Sequence, residues 1–186
     1  MRVISGRLKG RKLNSFKGSA VRPTSDRVRE ALFSILAHKP TDATVLDLYA
    51  GTGALGIEAL SRGAKRVLFI DNAPQALSLI QKNIQQLALE VTATIIRWNV
   101  AVSLDCLRDS PQAVDLAFLD PPYGRNLVPV TMAHLLSSRC LSPGATIVAE
   151  HEPLHGSEPL SDAYSITDQR RYGQTCLTFY RFQPER

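Results

Sequence analysis

No stretch of this 186-residue sequence stays apolar for the roughly 20 residues that a membrane-spanning helix needs. The first residues lack the apolar core of an export signal, because Arg and Lys interrupt them every few positions. The expected location is therefore the cytoplasm, with no membrane partner. Cysteine is scarce: Cys106, Cys140 and Cys176 stand far apart and form no metal-ligand spacing. They read as small buried thiols in a reducing compartment. His151 and His155 lie four apart, but in a stretch broken by Pro and Gly and without cysteine companions, so no metal is expected. Internal repeats and low-complexity tracts are also lacking. What remains is a chain long enough for one α/β domain plus a small extension.

Charge is distributed unevenly. Of a net +5, residues 1–30 alone hold +7, with nine basic groups against Asp26 and Glu30, and the remaining chain is −2. A basic arm on a near-neutral body points to a polyanion as partner. Val3, Ile4, Leu8, Leu13 and Phe16 punctuate the arm with groups that favour burial, and Gly6, Gly10 and Gly18 supply turns. This predicts a short hairpin, residues 1–23, docked on a domain of residues 24–186 with its basic side chains outward. Arg7, Lys9, Arg11 and Lys12 are the candidate contacts to nucleic acid. Arg22 and Arg27 flank the first helix. They either line a target pocket or pair with Asp26, Glu30 or the body.

Behind the arm, residues 24–38 read as a helix, with Thr24 or Ser25 as cap and Pro40 as its stop. Strands then alternate with helices: strands at 44–48, 66–70, 92–97, 114–119 and 145–149, and helices at 54–62, 74–87 and 128–138, with a short one near 101–108. Fully apolar strands in that alternation predict a mostly parallel sheet covered on both faces. Residues 164–172 and 174–182 read as an antiparallel hairpin around Gly173. In such sheets ligands sit beyond the carboxyl ends of the strands, near the point where strand order reverses.

The loop after the first strand reads Asp47-Leu48-Tyr49-Ala50-Gly51-Thr52-Gly53-Ala54-Leu55-Gly56. Gly51, Gly53 and Gly56 match the G-x-G-x-x-G dinucleotide pattern, so a dehydrogenase competes. Asp47 argues against it, because a carboxylate there repels a pyrophosphate and suits a ligand with an ammonium end. S-adenosylmethionine is such a ligand and carries no phosphate. Asp71, with Asn72 beside it, ends the second strand and could hold a ribose diol with its two oxygens. Asn99, with the Val100 backbone, follows the third strand and could meet an adenine edge. Tyr49, Ala50 and Thr52 complete the expected cofactor contacts.

After the fourth strand stands Asp120-Pro121-Pro122-Tyr123. The amino group of a purine is a poor nucleophile, because its lone pair is delocalised into the ring. Two acceptors on its protons, the Asp120 carboxylate and the Pro121 carbonyl, would let the nitrogen pyramidalise toward a methyl donor. Consecutive prolines stiffen both acceptors, and Tyr123 offers a face for an extruded base. This tetrad serves any purine amino group, so guanine N2 and adenine N6 of DNA both stay open. A non-enzymatic RNA-binding assembly factor is the remaining alternative.

The assembled pattern resembles the RsmD-like bacterial methyltransferases of 16S ribosomal RNA. The resemblance runs through Arg2-Val3-Ile4-Ser5-Gly6, Leu8 to Leu13, Arg22-Pro23-Thr24, Asp26 to Glu30, Leu32-Phe33, Asp47 to Ala64, the tetrad and Tyr172-Gly173. It implies a class I S-adenosylmethionine-dependent, Rossmann-like fold with a seven-stranded sheet. It also implies methylation of a guanine N2 in an assembling small subunit; a monomer is the expected state. Asp71 stands where a Glu is common in the family, and Asn99 where an Asp is frequent.

Overall fold

The computed structural model describes residues 1–16, 26–108, 113–153 and 161–184. Thr24, Ser25, Gly18, Arg22, His155 and the 23/24 boundary between arm and domain lie outside the described residues.

The alternation of apolar strands and amphipathic helices folds as expected. Helix α1 (Asp26–Leu36) precedes β1 (Thr44–Leu48), α2 (Ala54–Ser61), β2 (Arg66–Asp71), α3 (Pro74–Leu87) and β3 (Ala93–Arg97). A single 3-10 turn (Asp105–Leu107) takes the place of the short helix expected near 101–108. Then come β4 (Val114–Leu119), α4 (Leu127–Ser138), β5 (Leu141–His151), β6 (Tyr164–Tyr172) and β7 (Thr175–Phe182). Helix α1 stops at Leu36, short of Pro40, because Ala37 turns left-handed at φ 51°. Strand β5 begins four residues before the expected Ala145. Its Pro143-Gly144 pair disguises that extension, which joins β4 through a register shift between Val114 and Leu116.

The seven strands lie in the order β3-β2-β1-β4-β5-β7-β6. The first five are mutually parallel, and β7 pairs antiparallel with both β5 and β6. Strand order reverses between β1 and β4, whose last residues Leu48 and Leu119 are register partners. One apolar cluster fills the α1–α2–α3 face, and a second fills the α4 face. Among the described residues, no helix is long and apolar enough to cross a membrane.

The expected N-terminal hairpin forms in short: an antiparallel bridge of Arg2 with Lys12, flanked by Val3 N–H to Arg11 O at 3.0 Å and Leu13 N–H to Met1 O at 3.2 Å, around turns at residues 5–10. Of the five apolar residues expected to favour burial, Val3, Leu8 and Leu13 are buried in the first cluster, whereas Ile4 and Phe16 are half-buried. What fastens the arm is polar. Glu58 of α2, buried, accepts the Ile4 N–H at 2.8 Å and the Ser5 N–H at 2.9 Å. Ser61 takes the Leu8 N–H on its hydroxyl and the Arg7 N–H on its carbonyl, and donates its hydroxyl to Ser5 O. Gly6, at φ +80°, presses so closely on Ser61 that a Cβ there would stand 1.9 Å from the Ser61 carbonyl oxygen. Only glycine fits that approach.

Candidate cofactor and catalytic site

The glycine loop leaves β1 through Tyr49 at φ 58° and turns left-handed again at Gly51 (56°) and Gly53 (75°). Such conformations are costly for residues with a side chain and cluster at binding sites. Ala50 N–H donates to Ile70 O and Gly53 N–H to Ala50 O, which ties the loop to β2 and to itself. Gly56 lies against the sheet, where a Cβ would meet Phe69 Cε1 at 2.3 Å. Its smallness therefore lets α2 approach β2.

Asp47 does not present a free carboxylate to a ligand's ammonium end, as its position in the sequence suggests. It is 1% exposed, and its Oδ2 accepts the Gly56 N–H at 2.9 Å, bracing the start of α2 from beneath. Desolvation pushes its pKa up to about 8, against the partial relief of that hydrogen bond. An acid near 8 when folded and near 3.8 when unfolded favours folding fully only at low pH, and this contribution is lost as pH rises toward 8. Asp47→Asn keeps an acceptor for Gly56. It is expected to flatten that part of the stability profile of the ligand-free protein, read by thermal melts between about pH 5 and pH 9. An unchanged slope would mean that Asp47 does not titrate there.

Asp71 ends β2 facing the same loop. Its Oδ2 accepts Gly51 N–H and its Oδ1 accepts Ala73 N–H, both at 2.9 Å. Each carboxylate oxygen has a second lone pair, which leaves room for a diol. Beyond β3, Asn72, Arg97, Trp98, Asn99, Val102 and Ser103 line a cavity of about 500 Å3, within the usual size of a small-ligand site. Trp98 holds that wall in place, donating its backbone N–H to Asp71 O and its Nε1–H to Ser103 O, each at 3.0 Å. Asn99 Oδ1 accepts Ala101 N–H, and Val100 is buried with its carbonyl against His134 Nδ1 of α4 at 3.0 Å. Helix α4 also meets the glycine loop, through Thr131 Oγ1 and the Tyr49 hydroxyl at 2.8 Å. Sequence reading missed Trp98, although it is the chain's single tryptophan and directly precedes Asn99.

Asp120 follows β4 at the strand-order reversal, and its N–H donates to Leu48 O at 3.4 Å, which brings the tetrad beside the glycine loop. Pro121 is buried and Pro122 exposed. The Tyr123 hydroxyl donates to Glu150 Oε1 at 3.1 Å and lies 3.2 Å from Thr175 Oγ1, while the residue stays 41% exposed. Burial of its hydroxyl end pushes the phenol pKa up to about 12, so it stays protonated and pinned. Glu152 accepts Gly124 N–H at 3.1 Å and fixes the next turn of that loop.

The site's chemistry matches a whole-chain likeness. A family model described as conserved hypothetical protein 95 matches residues 1–181. Ribosomal RNA small subunit methyltransferase D of Escherichia coli K12 is 34% identical over 97% of this chain and 89% of its own length. The Haemophilus influenzae protein of the same name is 37% identical over 82% of this chain and 79% of its own. The chain belongs to this RsmD-like methyltransferase family. The solved structure of yhhF from Escherichia coli, 33% identical, covers all of this chain and 99% of its own at a TM-score of 0.88. The fold is that of S-adenosylmethionine-dependent methyltransferases, and one structure of this fold, 16% identical, holds S-adenosylhomocysteine. Membership of a methyltransferase family excludes the dehydrogenase reading of the glycine loop.

The residues present fit S-adenosylmethionine. The indole of Trp98 and the side chain of Val102 offer apolar cover, and Asp71 stands between that wall and the glycine loop. Arg7, Lys9, Arg11 and Lys12 are all exposed, as expected of phosphate contacts, but they do not gather at the catalytic mouth. The arm's tip sits on Ser61, at the end of α2 away from the glycine loop, about 12 Å along the helix axis. Arg11 and Lys12 lie against Gln86 in the last turn of α3. Arg27 is exposed, and Asp26 pairs with Arg29 rather than with it. Arg29 is fully buried, and its Nη2 donates to Arg2 O.

Proposed function

We propose that this chain methylates the exocyclic N2 of a guanine in 16S ribosomal RNA of an assembling small subunit, acting as a cytoplasmic monomer. The observation that carries the reading is the adjacency of two loops. The glycine loop after β1 and the Asp120 tetrad after β4 meet where strand order reverses. A methyl donor and an amino-nitrogen clamp are thereby set side by side, as direct transfer between two bound partners requires. The substrate class follows from the small-subunit name of the relatives, and the guanine N2 from the RsmD-like pattern of the sequence.

S-adenosylmethionine, when bound, supplies an electrophilic methyl group on a sulfonium. The chain's own groups act on the base. The Asp120 carboxylate and the Pro121 carbonyl accept the two protons of the amino group and turn its lone pair outward. N2 would take the methyl of a donor held there, with S-adenosylhomocysteine as the leaving group, and Asp120 would pass the displaced N2 proton to solvent. Tyr123, held by Glu150 and Thr175, presents its ring to the extruded guanine. Gly51, Thr52, Gly53 and Asp71 would hold the donor, and Asn72, Trp98 and Asn99 line the adjoining wall.

Incubation with labelled S-adenosylmethionine and small-subunit particles lacking the modification, followed by nucleoside analysis, tests the reading. N2-methylguanosine is the expected product. N6-methyladenosine, or no incorporation into RNA, would overturn it.

The arm grips the RNA away from the target base, so the substrate must extend past the mouth. Replacing Arg7, Lys9, Arg11 and Lys12 together by Gln is expected to weaken RNA binding. The same change should flatten its salt dependence, by about 0.7–0.9 in the log–log slope for each phosphate that the arm no longer neutralises. A slope equal to wild type in a filter-binding titration would remove the arm from the RNA interface.

A further inference from the structure

One buried amide ties the arm to the cofactor loop. Asn83 of α3 is fully buried. Its Nδ2 donates to Thr52 O in the glycine loop at 2.9 Å and to Asn14 O in the arm at 3.1 Å. Its Oδ1 accepts the Asn14 backbone N–H at 2.7 Å and the Asn14 Nδ2 at 3.0 Å. A carboxamide has two donors and two acceptor lone pairs, so every bond it can make is spent on joining these two segments. Asn14 itself is exposed, and its Nδ2 also reaches Gln86 Oε1 at 2.9 Å. Before it in the sequence stand Arg7, Lys9, Arg11 and Lys12.

We propose that Asn83 is a positioning residue that couples the arm to the cofactor loop, so that RNA seated on the arm and the cofactor raise each other's affinity. The glycine loop gains its shape from left-handed residues and a few backbone hydrogen bonds, and the Thr52 carbonyl is held by a side chain whose other bonds all go to the arm. A shift of the arm that moves Asn14 pulls on that amide and hence on Thr52. An RNA that fixes the arm fixes the loop. Linkage makes the effect reciprocal: whatever factor RNA adds to cofactor affinity, cofactor adds to RNA affinity. The substrate half of this inference rests on the proposed RNA methylation, whereas the arm-to-loop half does not.

The test uses the full chain with S-adenosylhomocysteine as probe, by calorimetry, with and without small-subunit RNA. Asn83→Leu removes all four bonds while keeping the branching and heavy-atom count of the side chain. Asn14→Ala is the milder variant, at an exposed position, and leaves the backbone bonds to Asn83 in place. Asn83→Leu is expected to weaken probe binding about tenfold, inside the ~5- to 150-fold range typical of coupling between sites. KM for S-adenosylmethionine should rise correspondingly while kcat at saturating cofactor is largely kept. Asn14→Ala should shift both in the same direction by a smaller factor. RNA should tighten probe binding to wild type but not to Asn83→Leu. A merely structural asparagine would lower the melting temperature and kcat without that KM shift, and would leave the RNA-induced tightening intact. Probe affinity unchanged in folded Asn14→Ala and Asn83→Leu overturns the inference. If Asn83→Leu does not fold, Asn14→Ala decides alone. If both variants weaken probe binding but RNA that binds wild type leaves its probe affinity unchanged, the reciprocal coupling is overturned; RNA that does not bind wild type at all fails the proposed substrate instead.

Discussion

Asp120→Ala is expected to lower kcat by about 10²–10³-fold, the loss typical of removing one preorganised polar partner from a reacting group. S-adenosylhomocysteine binding should survive, because the glycine loop, Asp71 and the Trp98 wall belong to other strands. The reason lies in the acceptor's chemistry. A purine amino nitrogen attacks only when its protons are held and its lone pair is released from the ring. Alanine leaves the Pro121 carbonyl as the sole acceptor. Asp120→Asn keeps a carbonyl oxygen at the position but no charge, so it should retain more activity than alanine. Single-turnover methyl transfer to RNA under saturating cofactor reads the chemical step directly. Turnover of Asp120→Ala near the wild-type rate would remove Asp120 from the catalytic role, and joint loss of probe binding would recast it as a support of the fold.

The second large effect concerns stability. Glu58→Ala is expected to cost about 3–5 kcal/mol, the usual result of breaking a buried charge network from one side. The Glu58 carboxylate, 1% exposed, serves two arm N–H groups and the Arg62 Nε at 2.8 Å. Arg62 in turn lies over the Phe33 ring of α1, 4.8 Å from its centroid. Alanine would orphan Ile4 N–H and Ser5 N–H and strip Arg62 of its partner. At ~2–4 °C per kcal/mol for a chain of this size, the melting temperature should fall by about 10 °C. Trypsin should then cut faster at the arm's Arg and Lys residues. A melting temperature close to that of wild type would show that the arm is held by Val3, Leu8 and Leu13 alone.

The layered fold was legible because its signals are local and periodic. Val114–Leu119 is apolar almost throughout, as a central strand must be, and Pro74 opens α3 at the position prolines favour. The two candidate loops stood out because Gly51, Gly53 and Asp120 to Tyr123 have few other reasons to stand after strands, and the strand order brings them side by side. Burial of polar groups was not legible. Glu58, Ser61 and Asn83 sit in helices whose pattern assigns polar residues to solvent, and only the docked arm reverses that. One hint existed: α2 is apolar on every side apart from Glu58 and Ser61, and a helix apolar all round is covered all round. Asp47 was misplaced for a related reason. Its position at a strand end is readable, but the direction of its carboxylate, under the loop toward Gly56, is set by tertiary packing.

The arm's anchors also set an order of events during synthesis. Asn14 meets Asn83 across 69 residues of sequence, and Ile4 meets Glu58 across 54. A ribosome adding about 5–20 residues per second needs roughly 3–14 s to make the first of those stretches. Throughout that interval the basic segment has been made but has no surface to fold upon. It can settle fully only after α2 and α3 exist, which is also when Asn83 becomes available to hold Thr52 of the glycine loop. The docked arm and the braced glycine loop thus mature in one step of folding, because the same Asn83 amide holds both.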